Sequence, residues 1–465
     1  MRLPLAVLLL AIAAPGARAA SLDVAASYKE KALEYRNLDL GAAANNHSFV
    51  ENNARLGIAV KRIVLDTRGE EDTTLDVGLL LHALGVAGSS AAISVPFDRA
   101  AAYYPSTNLT PFIENAYVRV NRLWGEPITM TFGRQSYRLG SGLLLDDDGA
   151  GFTGATVRGE FPWAGLKGEA FLFQAKNPQA TGASDLTLAG FSLSLPTEGV
   201  WQLNQLFERD QTPQLAYGCT FNGVGPNGTD PTQANGCAVS KAFRSFTSAR
   251  YQISYGPLVF DGEAAKEKGV ATPTGPNPAP NHITYSADAE VLRMKWKQSL
   301  YHTSGEGIAR VSLARGSGDR GDTQTTDEAF YPSHGHRYDG FERSGFGDFY
   351  GATPYDAYGG NYSTTTKSGL PQGTSGISVV GAGFTTPAYH GFLIDIDGYL
   401  FQGTRAANAS GFGSTLGDEL DLHLRYPIRD QFTLNVGMAY FKSGQITDPN
   451  KSIARRYSFE ASGRF

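Results

Sequence analysis

The chain has 465 residues, with 40 basic and 45 acidic side chains and a formal net charge of −5. That balance lacks the basic footprint that nucleic acid demands and argues against a nucleic-acid partner. With 55 glycines, 11% aromatic residues and only 18% charged ones, the composition favours strands and turns over helices.

In chain order, Arg2 precedes the apolar run Leu3 to Ala14 and then Ala17-Arg18-Ala19. This is the pattern of a secretory signal peptide over 1–19, cleaved to leave a mature chain from about Ala20. The run is too short to cross a bilayer, and no later run of about 20 apolar residues offers a membrane helix. The mature chain alternates apolar and polar residues with a period of two. The segments lie near 23–37, 52–66, 73–85, 112–122, 127–137, 151–161, 166–176, 184–195, 200–210, 243–255, 258–267, 283–296, 304–315, 376–387, 390–402, 417–427, 431–442 and 453–465. In the closing one, Ile453, Tyr457, Phe459, Ala461, Gly463 and Phe465 share one face and Ala454, Arg456, Ser458, Glu460, Ser462 and Arg464 the other. Soluble strands usually have about 5–6 residues, whereas crossing lipid on a tilt takes roughly 9–11. The pattern therefore predicts an all-β fold: a transmembrane antiparallel β-barrel of about 18 strands in the bacterial outer membrane, a single domain over 20–465. A large secreted sandwich or propeller is the soluble alternative.

Parity supports the barrel. An even strand number leaves both termini in the periplasm, with short turns on one side and long loops on the other. Gly125-Glu126, Gly256-Pro257 and Ile428-Arg429-Asp430 are short; the connections near 86–111, 211–242 and 316–375 are long. Trp124, Tyr255, Tyr426, Tyr440 and Phe465 end apolar rows, as in an interfacial girdle. Cys219 and Cys237 fall in one outer loop of a secreted chain, where a disulfide is expected. The partners expected are outer-membrane lipid and lipopolysaccharide, and the barrel-assembly machinery through the last strand ending in Phe465, with the barrel a monomer.

An ordered series of short motifs resembles the alginate-export family of outer-membrane β-barrel porins. It comprises Glu114-Asn115-Ala116-Tyr117-Val118-Arg119, Phe132-Gly133-Arg134-Gln135, Gly140-Ser141-Gly142-Leu143, Gly316-Ser317-Gly318-Asp319, Phe330-Tyr331-Pro332-Ser333-His334, Leu416-Gly417-Asp418-Glu419-Leu420-Asp421 and Tyr440-Phe441-Lys442-Ser443-Gly444. The resemblance implies an 18-stranded barrel that passes a hydrophilic solute passively, with an anionic polysaccharide as the type substrate.

A barrel of this size encloses an aqueous channel, and its inward charges set selectivity. The alternation places Arg55, Lys61, Arg119, Arg158, Arg244, Arg250, Arg310, Arg425, Arg456 and Arg464 inward, against Glu160, Asp261, Glu263, Asp288, Glu290, Glu419, Asp421 and Glu460. Arg119, Arg134, Arg244, Arg250 and Arg310 are the expected cationic side of a constriction, since guanidinium forks match carboxylate; the blander reading pairs them with wall carboxylates. The loop over 316–375 either folds inward, offering its aromatics to sugar rings, or decorates the surface. His334-Gly335-His336 and Asp146-Asp147-Asp148 are the two places where a metal is worth weighing, but both fall in outer loops where such residues are ordinarily solvated, and no metal or cofactor is assigned. The eight histidines are scattered and no serine sits in a nucleophile context, so no enzyme is expected. The expected function is a passive channel for a hydrophilic, anionic or saccharide solute. The alternative is a barrel serving as sleeve or anchor for a periplasmic or secreted partner.

Overall fold

The computed structural model describes residues 20–38, 46–67, 71–87, 104–161, 165–176, 185–211, 214–215, 238–274, 282–299, 305–319, 325–356, 370, 374–406, 414–448 and 450–465. Among them, eighteen long strands form one antiparallel barrel. They are β1 (Ser21–Arg36), β2 (His47–Asp66), β3 (Thr73–Ala87), β4 (Phe112–Asn121), β5 (Ile128–Gln135), β6 (Phe152–Phe161), β7 (Leu166–Ala175), β8 (Leu186–Pro196), β9 (Val200–Asp210), β10 (Ala238–Tyr255), β11 (Leu258–Thr274), β12 (Ile283–Ser299), β13 (Glu306–Gly316), β14 (Thr374–Thr385), β15 (Leu393–Ala406), β16 (Thr415–Ile428), β17 (Phe432–Ser443) and β18 (Ile453–Arg464). Each predicted segment falls on one of them. The larger differences lie at the extracellular ends: β10 begins at Ala238 rather than 243, and β11 runs to Thr274 rather than 267.

The ring closes where β18 returns to β1, with Ser27 opposite Arg464 and Arg36 opposite Arg455. Ala26 and Phe465 exchange backbone hydrogen bonds of 2.9 and 2.8 Å at the seam. Closure matters because an open sheet edge in lipid leaves N–H and C=O groups unpaired, at several kcal/mol each. The outward positions carry exposed large apolar side chains, among them Leu56, Phe132, Leu172, Leu313, Leu400 and Phe459. Trp124, Tyr255, Tyr389 and Phe465, at the periplasmic turns and terminus, are between 74% and 78% exposed. An apolar belt edged by aromatics is what a barrel presents to a bilayer. Residues 1–19 and both Cys219 and Cys237 lie outside the described residues.

Two connections turn inward and fill the extracellular half of the lumen. One, 136–151, is pinned by the pairing of Arg138–Leu139 with Leu145–Asp146. The other, 325–356, comes from the long loop after β13 and carries the small hairpin Tyr338–Asp339 with Glu342–Arg343. They are joined backbone to backbone, Asp146 N–H donating to His334 O at 2.7 Å and His336 N–H to Gly142 O at 2.9 Å. Leu139, Leu144, Leu145, Phe330, Tyr350 and Tyr355 from these segments pack with Phe173, Phe246, Phe401 and Phe441 of the wall in one buried cluster. The upper lumen is thus an apolar core.

Candidate functional site

A dry lumen raises the question of where the backbone groups of the inward segments find partners, since an unpaired buried polar group costs about 1–3 kcal/mol. The wall answers with carboxylates. Glu419 accepts the N–H groups of Phe349 and Tyr350 at 2.6 and 3.0 Å, and Asp421 that of Asp348 at 3.0 Å. Glu267 accepts Tyr331 N–H at 3.0 Å, Glu263 accepts Ser141 N–H at 2.7 Å, and Glu51 accepts Phe341 N–H at 3.3 Å. The close approach of three of these depends on glycine. Gly340 and Gly347 have φ of +72° and +78°, and a Cβ there would run into Glu51 and Glu419 respectively. Gly140 meets Glu263 in the same way.

Cations of the wall complete the anchorage. Arg244, 3% exposed, bonds Glu208 through both Nη2 and Nε, the latter at 2.9 Å, bonds Glu267 at 3.1 Å, and donates to the carbonyl of Tyr331. Arg456 holds Glu342 through two bonds of 2.6 and 2.9 Å and Asp348 at 2.7 Å. Burial alone would raise the Glu342 carboxyl, but Arg456 and Lys31 outweigh it and keep the group far below its usual range.

The two inward segments are clasped to one another by charge. His336 Nδ1 lies 2.6 Å from Asp148 Oδ1 and 3.4 Å from Asp146 Oδ2, its Nε2 is 2.8 Å from Ser344 Oγ, and Arg138 pairs with Asp146. Burial works against the charged ring, but the two carboxylates outweigh it and raise His336 to about 9. Burial and the neighbouring Asp146 push Asp147 up to about 7, while burial drives His334 down to about 4 against the pull of Glu208. The two motifs weighed separately for a metal thus meet: Asp146, Asp148 and His336 bring three ligand atoms within 4.8 Å. A cation there would have to displace the Arg138 guanidinium and the imidazole proton, so the cluster as built is an ion-paired clasp.

Below the inward segments, the periplasmic half of the lumen is lined by charge. Arg250 grips Asp261 with two bonds of 2.8 and 2.7 Å. Arg310 does the same to Asp397 at 3.1 and 2.8 Å and reaches Asp395, which Arg425 also holds. Arg158 pairs with Glu169, Lys61 with Asp23, and Arg55 with Glu114 at the level of the loops. Arg119 makes no ion pair among the described residues: its guanidinium lies 4.8 Å over the Tyr117 ring, with Thr131 Oγ1 at 3.3 Å.

Three expectations need correction. Arg134 is not on the lumen side: two residues on from the exposed Phe132 in an unbroken register, it shares that outward face, stands opposite Thr153 and binds the carbonyls of Ile113 and Ala150. Arg244 faces inward but is sealed beneath the loop. Asp288 and Glu290 face outward, Asp288 pairing with Arg315 across the exposed surface. The inward positions of β12 are the odd ones, which brings Arg293, Lys295 and Lys297 into the lumen. Arg293 sits with its guanidinium 5.4 Å over the Phe346 ring of the inward loop, and among the described residues none of the three makes an ion pair. These residues were missed because the upper part of β12 reverses the usual rule: its inward Ile283, Tyr285, Ala287, Ala289 and Val291 are buried, while its outward positions carry the polar Thr284, Ser286, Asp288 and Glu290.

No protein-family model matches the sequence, and no curated protein does. Among solved structures, the chain is similar to Pseudomonas aeruginosa OccK9 (OpdG), at 11% identity and a TM-score of 0.56 over 96% of this chain and 98% of that one. Acinetobacter baumannii OccAB1 is similar at 9% identity and 0.53 over 96% of each chain, and P. aeruginosa OccK8 (OprE) at 9% and 0.51 over 96% and 98%. Identities this low speak to the fold alone: the chain shares with these proteins its closed antiparallel β-barrel. The closed ring, its apolar exterior and this likeness place the protein in the bacterial outer membrane.

Proposed function

We propose that the barrel is a passive channel for a small hydrophilic anion, narrowed by the two inward segments and selected in the periplasmic half of the lumen. The observation that carries this reading is the set of lumen cations that make no ion pair among the described residues, Arg293, Lys295 and Lys297, with Arg119 beside Asp76 but not bonded to it, next to arginines that are already neutralised. In a water-filled space with low-dielectric walls, an uncompensated charge raises the local concentration of its counter-ion, whereas a bidentate pair contributes little field. Of the solutes that the alginate-export resemblance implies, a short uronate suits a lumen with its loops in place; a polymer would require them to withdraw. Arg293, lying against Phe346, joins a guanidinium to an aromatic face, which together serve a carboxylate-bearing ring.

Planar-bilayer recording of the purified mature protein tests this. Under a salt gradient the reversal potential should report anion preference, and a galacturonate trimer should block more strongly than a neutral trisaccharide. Arg293→Gln should shift the reversal potential toward zero, and the double change Arg250→Gln/Asp261→Asn, which removes both charges of a neutral pair, should shift it less. An unselective pore indifferent to the uronate refutes the anionic reading. A protein that stays silent even when 325–356 is replaced by a short Gly/Ser linker is a sleeve or anchor rather than a channel.

A further inference from the structure

Outside the lumen, the outward face of one sector joins basic charge to an apolar furrow. A cross-strand row runs Val50, Ala32, Phe459, Val436, Leu424 and Ile394, each opposite the next from β2 through β1, β18, β17 and β16 to β15. A parallel row through Glu34 and Tyr457 lies two residues nearer the extracellular rim, and the two rows line a concavity of 960 Å³ with the small Ala32 among bulkier neighbours. Because Val50 is near the extracellular start of β2 and Ile394 near the periplasmic start of β15, the furrow slants across the lipid belt from the outer rim inward.

One row further toward the rim, Arg36 and Arg455 stand directly opposite each other on β1 and β18. Like charges in such a pair repel and destabilise the sheet. Each guanidinium is parked over a tyrosine, Arg36 at 5.3 Å from the centre of the Tyr457 ring and Arg455 at 5.5 Å from that of Tyr440. Glu34, 2.7 Å from Arg36 Nε, offsets one charge; Arg455 makes no ion pair among the described residues. The pair is therefore left with excess positive charge on the extracellular side of the furrow, at its mouth.

We propose that this sector is a binding site for a phosphorylated glycolipid of the outer leaflet, with a phosphate between Arg36 and Arg455 and an acyl chain lying in the furrow. Phosphate oxygens match guanidinium forks and relieve the repulsion between them; a zwitterionic headgroup brings no net charge to do so. A second copy of the chain suits the face poorly, because a two-fold contact brings four arginines together.

The test uses the full mature protein in mild detergent, titrated with bisphosphorylated lipid A and, separately, with phosphatidylethanolamine, and read by native mass spectrometry. Wild-type protein should retain lipid A in clear preference. Each arginine neutralised should weaken retention by about fivefold, the worth of one basic residue at an anionic surface, so the Arg36→Gln/Arg455→Gln pair should lose most of it. Ala32→Phe, which fills the furrow and leaves the charges, should also weaken it, and it keeps the test alive if the double variant fails to fold, as judged by heat-modified gel mobility. Equal retention of the two lipids, retention unchanged in the variants, or a dimer mass that the same substitutions abolish would each overturn the proposal.

Discussion

Raising the pH should loosen the clasp between the two inward segments, and His336 sets the upper limb of that response. Its folded value of about 9 stands above the ordinary 6.5. A base raised in this way stabilises fully below about 6.5 and loses the contribution as pH climbs through 9. The difference of roughly 2.5 units corresponds to about 3.4 kcal/mol. The side chain is 31% exposed, and solvent screening reduces the working figure to about 2 kcal/mol, or ~30-fold in the ratio of clasped to unclasped forms. Asp147 acts in the same direction at lower pH: an acid raised from 3.8 to about 7 favours the folded clasp below 3.8 and costs it stability as pH rises through 7. The groups facing His336 are Asp146, Asp148 and Arg138, and Asp146 is held below its usual value by its partners despite burial, so nothing in the cluster opposes the trend. Open probability of single channels should therefore rise in two steps between pH 5 and pH 9.5. His336→Gln should remove the upper step and leave the lower. An unchanged upper step in His336→Gln, or an open probability that falls with pH, refutes the reasoning.

Arg244→Ala leaves Glu208 and Glu267 buried without their counter-ion, which should cost about 3–5 kcal/mol and lower the urea midpoint of the purified barrel; a shift below about 1 kcal/mol would mean that the ion pairs matter little. Gly340→Ala places a side chain at φ +72° against Glu51; about 1–2 kcal/mol of strain should appear as faster hydrogen exchange at Phe341, with β1 and β18 unaffected. Replacing 325–356 with a short linker should raise unitary conductance severalfold, and an unchanged conductance would place the narrowest point elsewhere.

The strands were legible because each must present apolar atoms to lipid and polar atoms to the inside, a constraint that reaches the sequence as strict alternation. It held for β18, where Phe459 faces out and Arg456 in, and for the periplasmic part of β12, where Leu292, Met294 and Trp296 face out and Arg293, Lys295 and Lys297 in. It failed wherever its two assumptions, lipid outside and water inside, were both false. In the extracellular half of β12 the polar side chains stand outside and the apolar ones pack inside, so Asp288 and Glu290 were assigned to the wrong face. Ion pairing was illegible for another reason. Arg250 meets Asp261 and Arg310 meets Asp397 only through the register of neighbouring strands, which periodicity within one strand does not carry. The clasp joins residues 188 apart in sequence, and its two halves showed only as unrelated motifs.

The near-even count of inward charges is misleading because it averages two regions with different tasks. In the extracellular half, Glu51, Glu208, Glu263, Glu267, Glu419 and Asp421 are spent on the backbone and side chains of the inward segments. A loop lying in an apolar lumen has amide donors that water no longer satisfies, and a carboxylate can accept several at once, at roughly twice the strength of a neutral acceptor. These acids are structural, and a solute entering from the periplasm does not meet them. In the periplasmic half Arg250, Arg310, Arg425, Arg158 and Lys61 are each paired with a carboxylate, Asp76 stands across from Arg119 and takes its hydrogen bonds from Asn121 and the Arg62 N–H, and among the described residues Arg293, Lys295 and Lys297 make no ion pair. On the proposed reading, cations govern the wet part of the interior of a chain of net charge −5 because these six acids are spent on holding the inward segments.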